Sequence, residues 1–325
     1  MTSSKTAKLS PSRMKDYAQC PRLYYYKYEL GIKTPPTQAT VRGTVAHYVF
    51  EYIFDYRPES RTVDNAIDLV RPCLRMLLNP FISMHDVSIG SLEYLIRSRE
   101  ECFSENFICG SEHYLSKEKE TQETQRIIPD EDIEDFVASV EKSVRGWFAI
   151  EKPWKFEPTH RELYIGAAVK GSYIHGYIDR LDYVTSEGKP VTVYVSDYKT
   201  GKKPAPRYED DAFFQLAVYA VVLKHMKMCQ VDRLRLMYVN SDKGELSVKV
   251  TKALLDKTEQ KIKAISDGIK KSRESGSWKT VKQVLCGWCY FQDVCPAFHE
   301  ELDGLLPEDI ELRLTRPDYI VNNSL

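Results

Sequence analysis

Three strand-like segments between Arg161 and Tyr198 narrow the choice of fold more than any other feature. Arg161–Val169, Tyr173–Val184 and Pro190–Tyr198 are rich in β-branched and aromatic residues and are separated by turn residues. An apolar helix is expected over Asp210–Met228, then a hairpin of Arg233–Asn240 and Glu245–Val250 around Ser241–Gly244, then a long helix over Thr251–Arg273. Strands and helices thus mix along this part of the chain, an α/β (α+β) composition. At 325 residues the chain has room for about two domains and for a core that needs no disulfide staples.

On the N-terminal side, Ser10-Pro11 reads as an N-cap with proline at the first helical position, and the helix ends near Cys20-Pro21. An aromatic stretch, Leu23–Leu30, closes at Gly31, and Thr40–Tyr56 carries apolar residues at helical spacing. The middle, about Asp64 to Phe148, reads as entirely helical. Between Glu100 and Asp135 there are 12 acids against Lys117, Lys119 and Arg126, which suits a solvated helical face with a loop near Lys117–Pro129. This region reads as an insertion separate from the chemistry. The division expected is residues 1–60, a helical insertion over 61–155, a core over 156–275 and a cysteine-bearing terminal part over 276–325. The tail after Pro307 reads as a surface extension.

The chemistry concentrates on one hairpin. Asp179 lies in Gly176-Tyr-Ile-Asp-Arg-Leu-Asp, and Asp197 and Lys199 lie in Ser196-Asp-Tyr-Lys-Thr-Gly. Alternation places Asp197 and Lys199 on one face of their strand. A simple hairpin centred on Gly188 sets Asp179 opposite Asp197, with Cβ atoms about 5 Å apart. Like charges so close repel, and a hard divalent cation is one remedy. A solvent-facing aspartate, or a plain ion pair to Lys199, is the structural alternative. His47 and Glu51 share a face of the Thr40–Tyr56 helix at i, i+4, after Gly43, and Gln215 and Tyr219 do the same on the next helix.

In this order, Gly43-x3-His47, Gly176-x2-Asp179-Arg180, Asp197-x-Lys199-Thr-Gly and Gln215-x3-Tyr219 resemble the RecB-like exonuclease branch of the PD-(D/E)XK nucleases, over residues 9–56 and about 160–298. The resemblance implies a restriction-endonuclease-like core with a central mixed β-sheet flanked by helices. It implies Mg²⁺ or Mn²⁺ held by His47, Asp179, Asp197 and the Tyr198 main-chain carbonyl, with Lys199 catalytic. Gln215 and Tyr219 inherit a supporting catalytic role, holding the site and the DNA strand. Glu162 opens the first strand, and some nucleases of this fold use an early acid near the site; whether Glu162 or Glu51 joins it is left open, with a structural role the first expectation for each.

Cys286-Gly-Trp-Cys289 and Cys295-Pro296 crowd three cysteines into ten residues, and Cys20, also followed by proline, is the candidate fourth ligand. Four thiolates suit zinc or an iron–sulfur cluster, and spacing leaves both open. The pattern is similar to the iron–sulfur staple of AddB-type and CRISPR-associated RecB-like nucleases, which implies a [4Fe–4S] cluster with zinc as the alternative. Cys73, Cys102, Cys109 and Cys229 read as buried or incidental.

A net charge of −1 excludes a global basic field, so any nucleic-acid surface is local. Lys199, Lys202, Lys203 and Arg207 form one basic stretch. Lys249–Lys282 forms another, with ten basic residues against four acids, which also suits a solvated helix face. The purest apolar run, Ala217–Leu223, is far too short to span a membrane, and Met1–Lys15 lacks a signal-peptide core, so a cytoplasmic, reducing setting is expected. No G-x4-G-K-[ST] phosphate loop is present, so unwinding would come from a helicase or recombination partner. The resemblance implies DNA as substrate, and with it the expected function is a metal-dependent DNA exonuclease preferring single strands or DNA ends, in recombination, repair or related DNA processing. A non-catalytic DNA-binding or assembly module and an endonuclease or flap cutter are the alternatives.

Overall fold

The computed structural model describes residues 8–78, 132–185, 191–302 and 304–314. The acidic segment around Glu100–Glu131, Cys102, Cys109 and the turn Ser186–Lys189 lie outside them. The helices are α1 (Pro11–Gln19), α2 (Pro21–Tyr24), α3 (Gln38–Tyr52), α4 (Val63–Asp68), α5 (Val70–Leu78), α6 (Ile133–Ile150), α7 (Glu209–Ala212), α8 (Phe214–His225), α9 (Lys252–Ser275) and α10 (Pro307–Leu314). The strands are β1 (Lys8–Leu9), β2 (His160–Val169), β3 (Ser172–Val184), β4 (Thr192–Lys199), β5 (Arg233–Tyr238) and β6 (Glu245–Lys249). Among the described residues no helix is long and apolar enough to cross a membrane.

The chain divides into two compact units. One comprises residues 1–35, 168–174 and 259–325, the other residues 36–167 and 175–258. In the first, Ser10 caps α1 by accepting from the Arg13 N–H, with Pro11 at the first turn. The aromatic stretch winds on as one π-helical turn over Tyr25–Glu29 and closes at Gly31, whose φ of +74° favours glycine. Its purpose is packing: Tyr24 and Tyr25 stack on Trp278 with ring centroids 5.8 and 5.4 Å apart. The chain after Pro307 is not a surface extension throughout. Within α10, Ile310 and Leu314 are buried against Tyr26, Ile32, Phe291 and Val294, because an amphipathic pair at i, i+4 finds an apolar face to cover.

In the second unit β4 is central. It runs antiparallel to β3 and parallel to β5, and β6 closes the edge antiparallel to β5. A parallel neighbour needs a crossover, which α7 and α8 supply. The apolar segment expected over Asp210–Met228 breaks at Phe213 and stops at His225, where Lys227 turns left-handed at φ +56° and ends the helix. Residues Leu216 to Leu223 are all buried. α3 is capped by a reciprocal Thr37–Thr40 box and ends at Tyr52 rather than Tyr56. The described parts of the middle region, α4, α5 and α6, are not set apart: Ala66, Cys73, Phe136 and Trp147 share one core with Val45, Val49 and Phe50 of α3 and Tyr198 of β4.

Under β4 lies a buried polar knot. Arg180 donates to both oxygens of Glu151 at 2.7 and 2.8 Å, to Asp182 at 2.8 Å and to the Tyr198 hydroxyl at 2.7 Å. Glu151 also accepts from Arg235 and from the Trp147 indole. Burial alone pushes the Glu151 carboxyl up, but Arg180 and then Arg235 overcome this and hold it at about 2. Removing one partner of such a network leaves a naked buried charge. Arg180→Met is therefore expected to cost about 3–5 kcal/mol in chemical denaturation, and adding Glu151→Gln to recover part of it. A loss under about 1 kcal/mol for the single variant would show the knot to be dispensable.

Candidate active site

The β3–β4 ladder pairs Arg180 with Ser196, Leu181 with Val195 and onward, the register of a hairpin centred on residue 188. The pairing stops at Arg180, one step short of the aspartates. There the Asp179 carboxylate itself accepts the Tyr198 N–H at 3.0 Å, in place of a backbone partner. A side chain has replaced a ladder bond, and the strands part at the site.

α3 brings His47 to this point. Its Nε2 lies 2.9 Å from the Tyr198 carbonyl oxygen, to which it donates, and its Nδ1 lies 3.4 Å from Asp179 Oδ2. The end of α3 is fixed by Arg161, which donates to the Glu51 carbonyl and, at 2.7 Å, to Asp55. An orphan carbonyl of the helix terminus thus meets a guanidinium.

Asp197 is buried. Its Oδ1 accepts from Gln215 Nε2 at 3.1 Å, and the same amide reaches the Tyr219 hydroxyl at 3.2 Å. Lys199 Nζ stands 2.7 Å from Oδ2, yet that buried oxygen accepts no well-directed hydrogen bond and keeps a lone pair to offer. Gly176 is needed beside Tyr219, since a Cβ there would lie 2.6 Å from the tyrosine ring. The pairs His47–Asp179, Asp197–Lys199 and Gln215–Tyr219 are therefore brought together, through Tyr198 and Asp197.

Glu162 belongs to the same cluster, a placement the sequence left open. One ligand atom each from His47, Glu162 and Asp179 lies within 4.8 Å of the others. Glu162 has φ +44°, in the left-handed region that costs a non-glycine residue about 1–3 kcal/mol. Strand alternation carries no mark of such a kink; only its place at the start of a strand before Asp179 hinted at it. Glu51 lines the cavity beside these residues. Burial and the neighbouring carboxylates of Asp179 and Glu51 push Glu162 up to about 8, and burial and Asp179 push Asp197 up to about 6. Burial opposes the charge on Lys199, but Asp197 and Asp179 outweigh it and raise the lysine.

Two ligands about 2.1 Å from an octahedral cation at right angles stand about 3.0 Å apart. The 2.9 Å between His47 Nε2 and the Tyr198 oxygen is a hydrogen bond of nearly that length, so the two would become neighbouring ligands once the ring gives up its Nε2 proton. The unfilled lone pair of Asp197 and the crowded carboxylates add to the fit, so the donor set suits a divalent cation.

The expected basic surfaces fare unequally. Lys202 and Arg207 are exposed, Arg207 over the Tyr208 ring at 4.8 Å, whereas Lys203 is half-buried and donates to the Lys243 carbonyl. Along α9 the bases are largely paired: Lys252 with Asp256, Lys263 with Asp267, Lys270 with Glu274, and Arg273 with Glu29. This favours the solvated-face reading of that helix.

Within the first unit, Cys20, Cys286, Cys289 and Cys295 line one cavity with Tyr26 and Phe291. All four are free thiols. Burial raises Cys289 and Cys295, against which the backbone N–H groups of Phe291 and Ala297 approach their sulfurs. The four sulfurs do not form a group within 4.8 Å of one another. Cys73 is buried, and Cys229 is half-buried and hydrogen-bonded to Tyr183.

A family model, the PD-(D/E)XK nuclease superfamily, matches residues 8–296. No curated protein matches the chain. Among solved structures the chain is similar to a "Putative exonuclease" from Eubacterium rectale, at 10% identity and TM-score 0.46, covering 98% of this chain and 92% of that one. With a family match across most of its length and a mixed sheet flanked by helices, the chain belongs to the PD-(D/E)XK nuclease superfamily.

Proposed function

We propose that the chain is a divalent-metal-dependent DNA exonuclease, acting on single strands or DNA ends in recombination, repair or related processing. The observation that carries this is the gathering of His47, Glu162 and Asp179 within 4.8 Å beside the Asp197–Lys199 ion pair. His47, Asp179, Asp197, the Tyr198 carbonyl and, added to the expected set, Glu162 would hold Mg²⁺ or Mn²⁺. Such a cation, when bound, polarises a phosphodiester oxygen and acidifies water. The imidazole in an oxygen site suits Mn²⁺ at least as well as Mg²⁺. Lys199 keeps its proton, orients the attacking water and stabilises charge on phosphorus. Gln215 and Tyr219 hold the Asp197 carboxylate in place, and Lys202 and Arg207 are the basic groups placed to meet phosphates.

For the cysteines we propose a [4Fe–4S] cluster that staples the first unit. One cavity lined by four free thiols supports it. Zinc on the same four thiols is the alternative. Backbone N–H groups near two of the sulfurs suit a cluster's anionic ligands. A reducing compartment follows from the same chemistry. A helicase partner would supply unwinding.

The nuclease test is degradation of end-labelled single-stranded DNA by anaerobically purified protein. Mn²⁺ or Mg²⁺ should support it, EDTA should abolish it, and Lys199→Ala should lower the rate by about 10²–10³. Equal inertness of wild type and variant, with the protein folded, would reject the proposal. Label position gives the polarity.

The carboxylates also set a pH dependence. A raised acid pKa means the folded state binds more protons than the unfolded one, so stability falls as pH rises through that interval. For Asp197 and Glu162 the interval runs from about 4 to about 8. In EDTA the thermal midpoint should drop from pH 5 to pH 8. Mn²⁺ should flatten the slope, as should Glu162→Gln. A flat profile in EDTA would mean the carboxylates do not crowd one another.

Cys286→Ser should lose bound iron and sulfide and the brown colour of the anaerobic protein. Stoichiometric zinc with no sulfide in the wild type would replace the cluster with a zinc site.

A further inference from the structure

The sheet face that carries Asp197 and Lys199 ends on a tyrosine with no part in the site as described so far. β4 and β5 pair in parallel, with Val195 opposite Leu234, Asp197 opposite Leu236 and Lys199 opposite Tyr238. Such partners turn their side chains to the same face, with the strands about 4.8 Å apart. On this face β5 reads Leu234, Leu236, Tyr238: two aliphatic residues, then a phenol. Over the same steps β4 changes from Val195 to Asp197 and Lys199. The polar tip of β5 therefore arrives where the charged groups of β4 do.

Tyr238 is 6% exposed. Its hydroxyl makes no hydrogen bond among the described residues, yet it is not sealed from solvent. A buried phenol usually finds a partner, so this one has a proton to give. The groups that act on it show where it stands. Burial raises the phenol, the Lys199 charge lowers it, and Asp197 and Glu209 raise it again. Tyr238 in turn is among the groups that raise the Lys199 ammonium. The phenol thus stays protonated, a neutral donor beside a charged one.

The backbone holds this donor still. The Tyr238 N–H donates to the Gly244 carbonyl at 2.9 Å, and its carbonyl accepts from the Ser241 N–H at 3.1 Å. A Cβ on Gly244 would lie 2.0 Å from that carbonyl oxygen, so the turn closes only on glycine. The next residue, Val239, donates to the Lys199 carbonyl at 3.0 Å, which locks the tyrosine to the lysine. A donor fixed in advance stabilises developing charge without rearranging. A plain core role would be met by leucine, as at 234 and 236, with no hydroxyl to desolvate.

We propose that Tyr238 is a further catalytic residue, its hydroxyl donating a hydrogen bond to a non-bridging oxygen of the phosphate that Lys199 meets. Attack of water on phosphorus adds negative charge to those oxygens, so the bond strengthens toward the transition state. A dianionic phosphate monoester is closer to that state in charge than the monoanionic diester. The proposal rests on the nuclease reading for its reaction, and phosphate binding tests it separately.

The experiment compares wild type with Tyr238→Phe, which removes the hydroxyl and keeps the ring. It uses the full chain, purified anaerobically, in Mn²⁺. Thymidine 5′-monophosphate and thymidine are titrated by calorimetry, and cleavage of end-labelled single-stranded DNA is followed alongside. The variant should bind the monophosphate about tenfold more weakly and thymidine as wild type does. Its kcat should fall about 10- to 100-fold with KM changed less than about threefold. If Tyr238→Phe does not fold, Tyr238→Leu should show the same losses. Monophosphate affinity or kcat within about twofold of wild type overturns the proposal. So does a loss shared equally by thymidine, which would make Tyr238 a packing residue, and so does a wild type that binds no monophosphate. The two readings separate. If wild type does not cleave, a selective loss of monophosphate binding rejects the nuclease and keeps the Tyr238 donor. Equal cleavage by wild type and variant rejects the donor and keeps the nuclease.

Discussion

Repulsion among carboxylates governs the second unit. Asp179, Asp197 and Glu162 approach one another in a place with little water, and Asp197 and Glu162 are pushed toward their neutral forms there. A sheet left to itself would relax by parting the strands or turning a side chain to solvent. Here the pieces that resist relaxation are identifiable. Lys199 sets a positive charge 2.7 Å from Asp197, Gln215 holds the other oxygen, and the Tyr198 N–H pins Asp179. Each supplies part of what a cation would supply whole. The strain at Glu162 belongs to the same account, because a left-handed residue within a strand persists only when its surroundings hold it there.

The rigidity comes from beneath. The Arg180–Glu151–Arg235 knot contains oppositely charged groups that satisfy one another, whereas the groups above it are alike in charge and do not. Strand β3 carries Asp179 and Arg180 as neighbours facing opposite ways, so the balanced charge fixes the position of the unbalanced one. The division of labour is economical in sequence: one strand step separates the structural ion from the one available to a ligand.

Local and periodic information made much of this legible. The Ser10-Pro11 cap, the closure at Gly31, the strands and the hairpin register all follow from residue preferences and from a symmetric turn centre. The strand ends moved by only a residue or two. Less legible was whatever depends on distant partners. Glu162 needed a kink that alternation cannot announce. α10 needed the apolar face that Tyr26 and Phe291 present, and without it an eight-residue amphipathic stretch reads as a tail. The basic appearance of Lys249–Lys282 dissolved into i, i+4 pairs whose geometry exists only once the helix is drawn. The cysteines are an intermediate case: spacing grouped three of them, and only the fold puts Cys20 on the same cavity.

Tyr198 shows why the residue between Asp197 and Lys199 is not a spacer. Its N–H binds Asp179 and its carbonyl faces His47. Its hydroxyl accepts from Arg180, and its ring packs against Phe50 and Trp147 at 4.9 and 5.8 Å. The backbone groups serve the site and the side chain serves the core, so one residue ties the two. A smaller apolar residue there would keep the N–H and the carbonyl yet leave Arg180 short of a partner and open a void beside Trp147. The carbonyl would then keep its contact with His47 but depend for its position on the ladder of β4 to β5, which continues through Tyr198 to Lys199 while the β3 side has already let go. An aromatic residue with a polar tip meets both demands, one apolar along its length and one polar at its end.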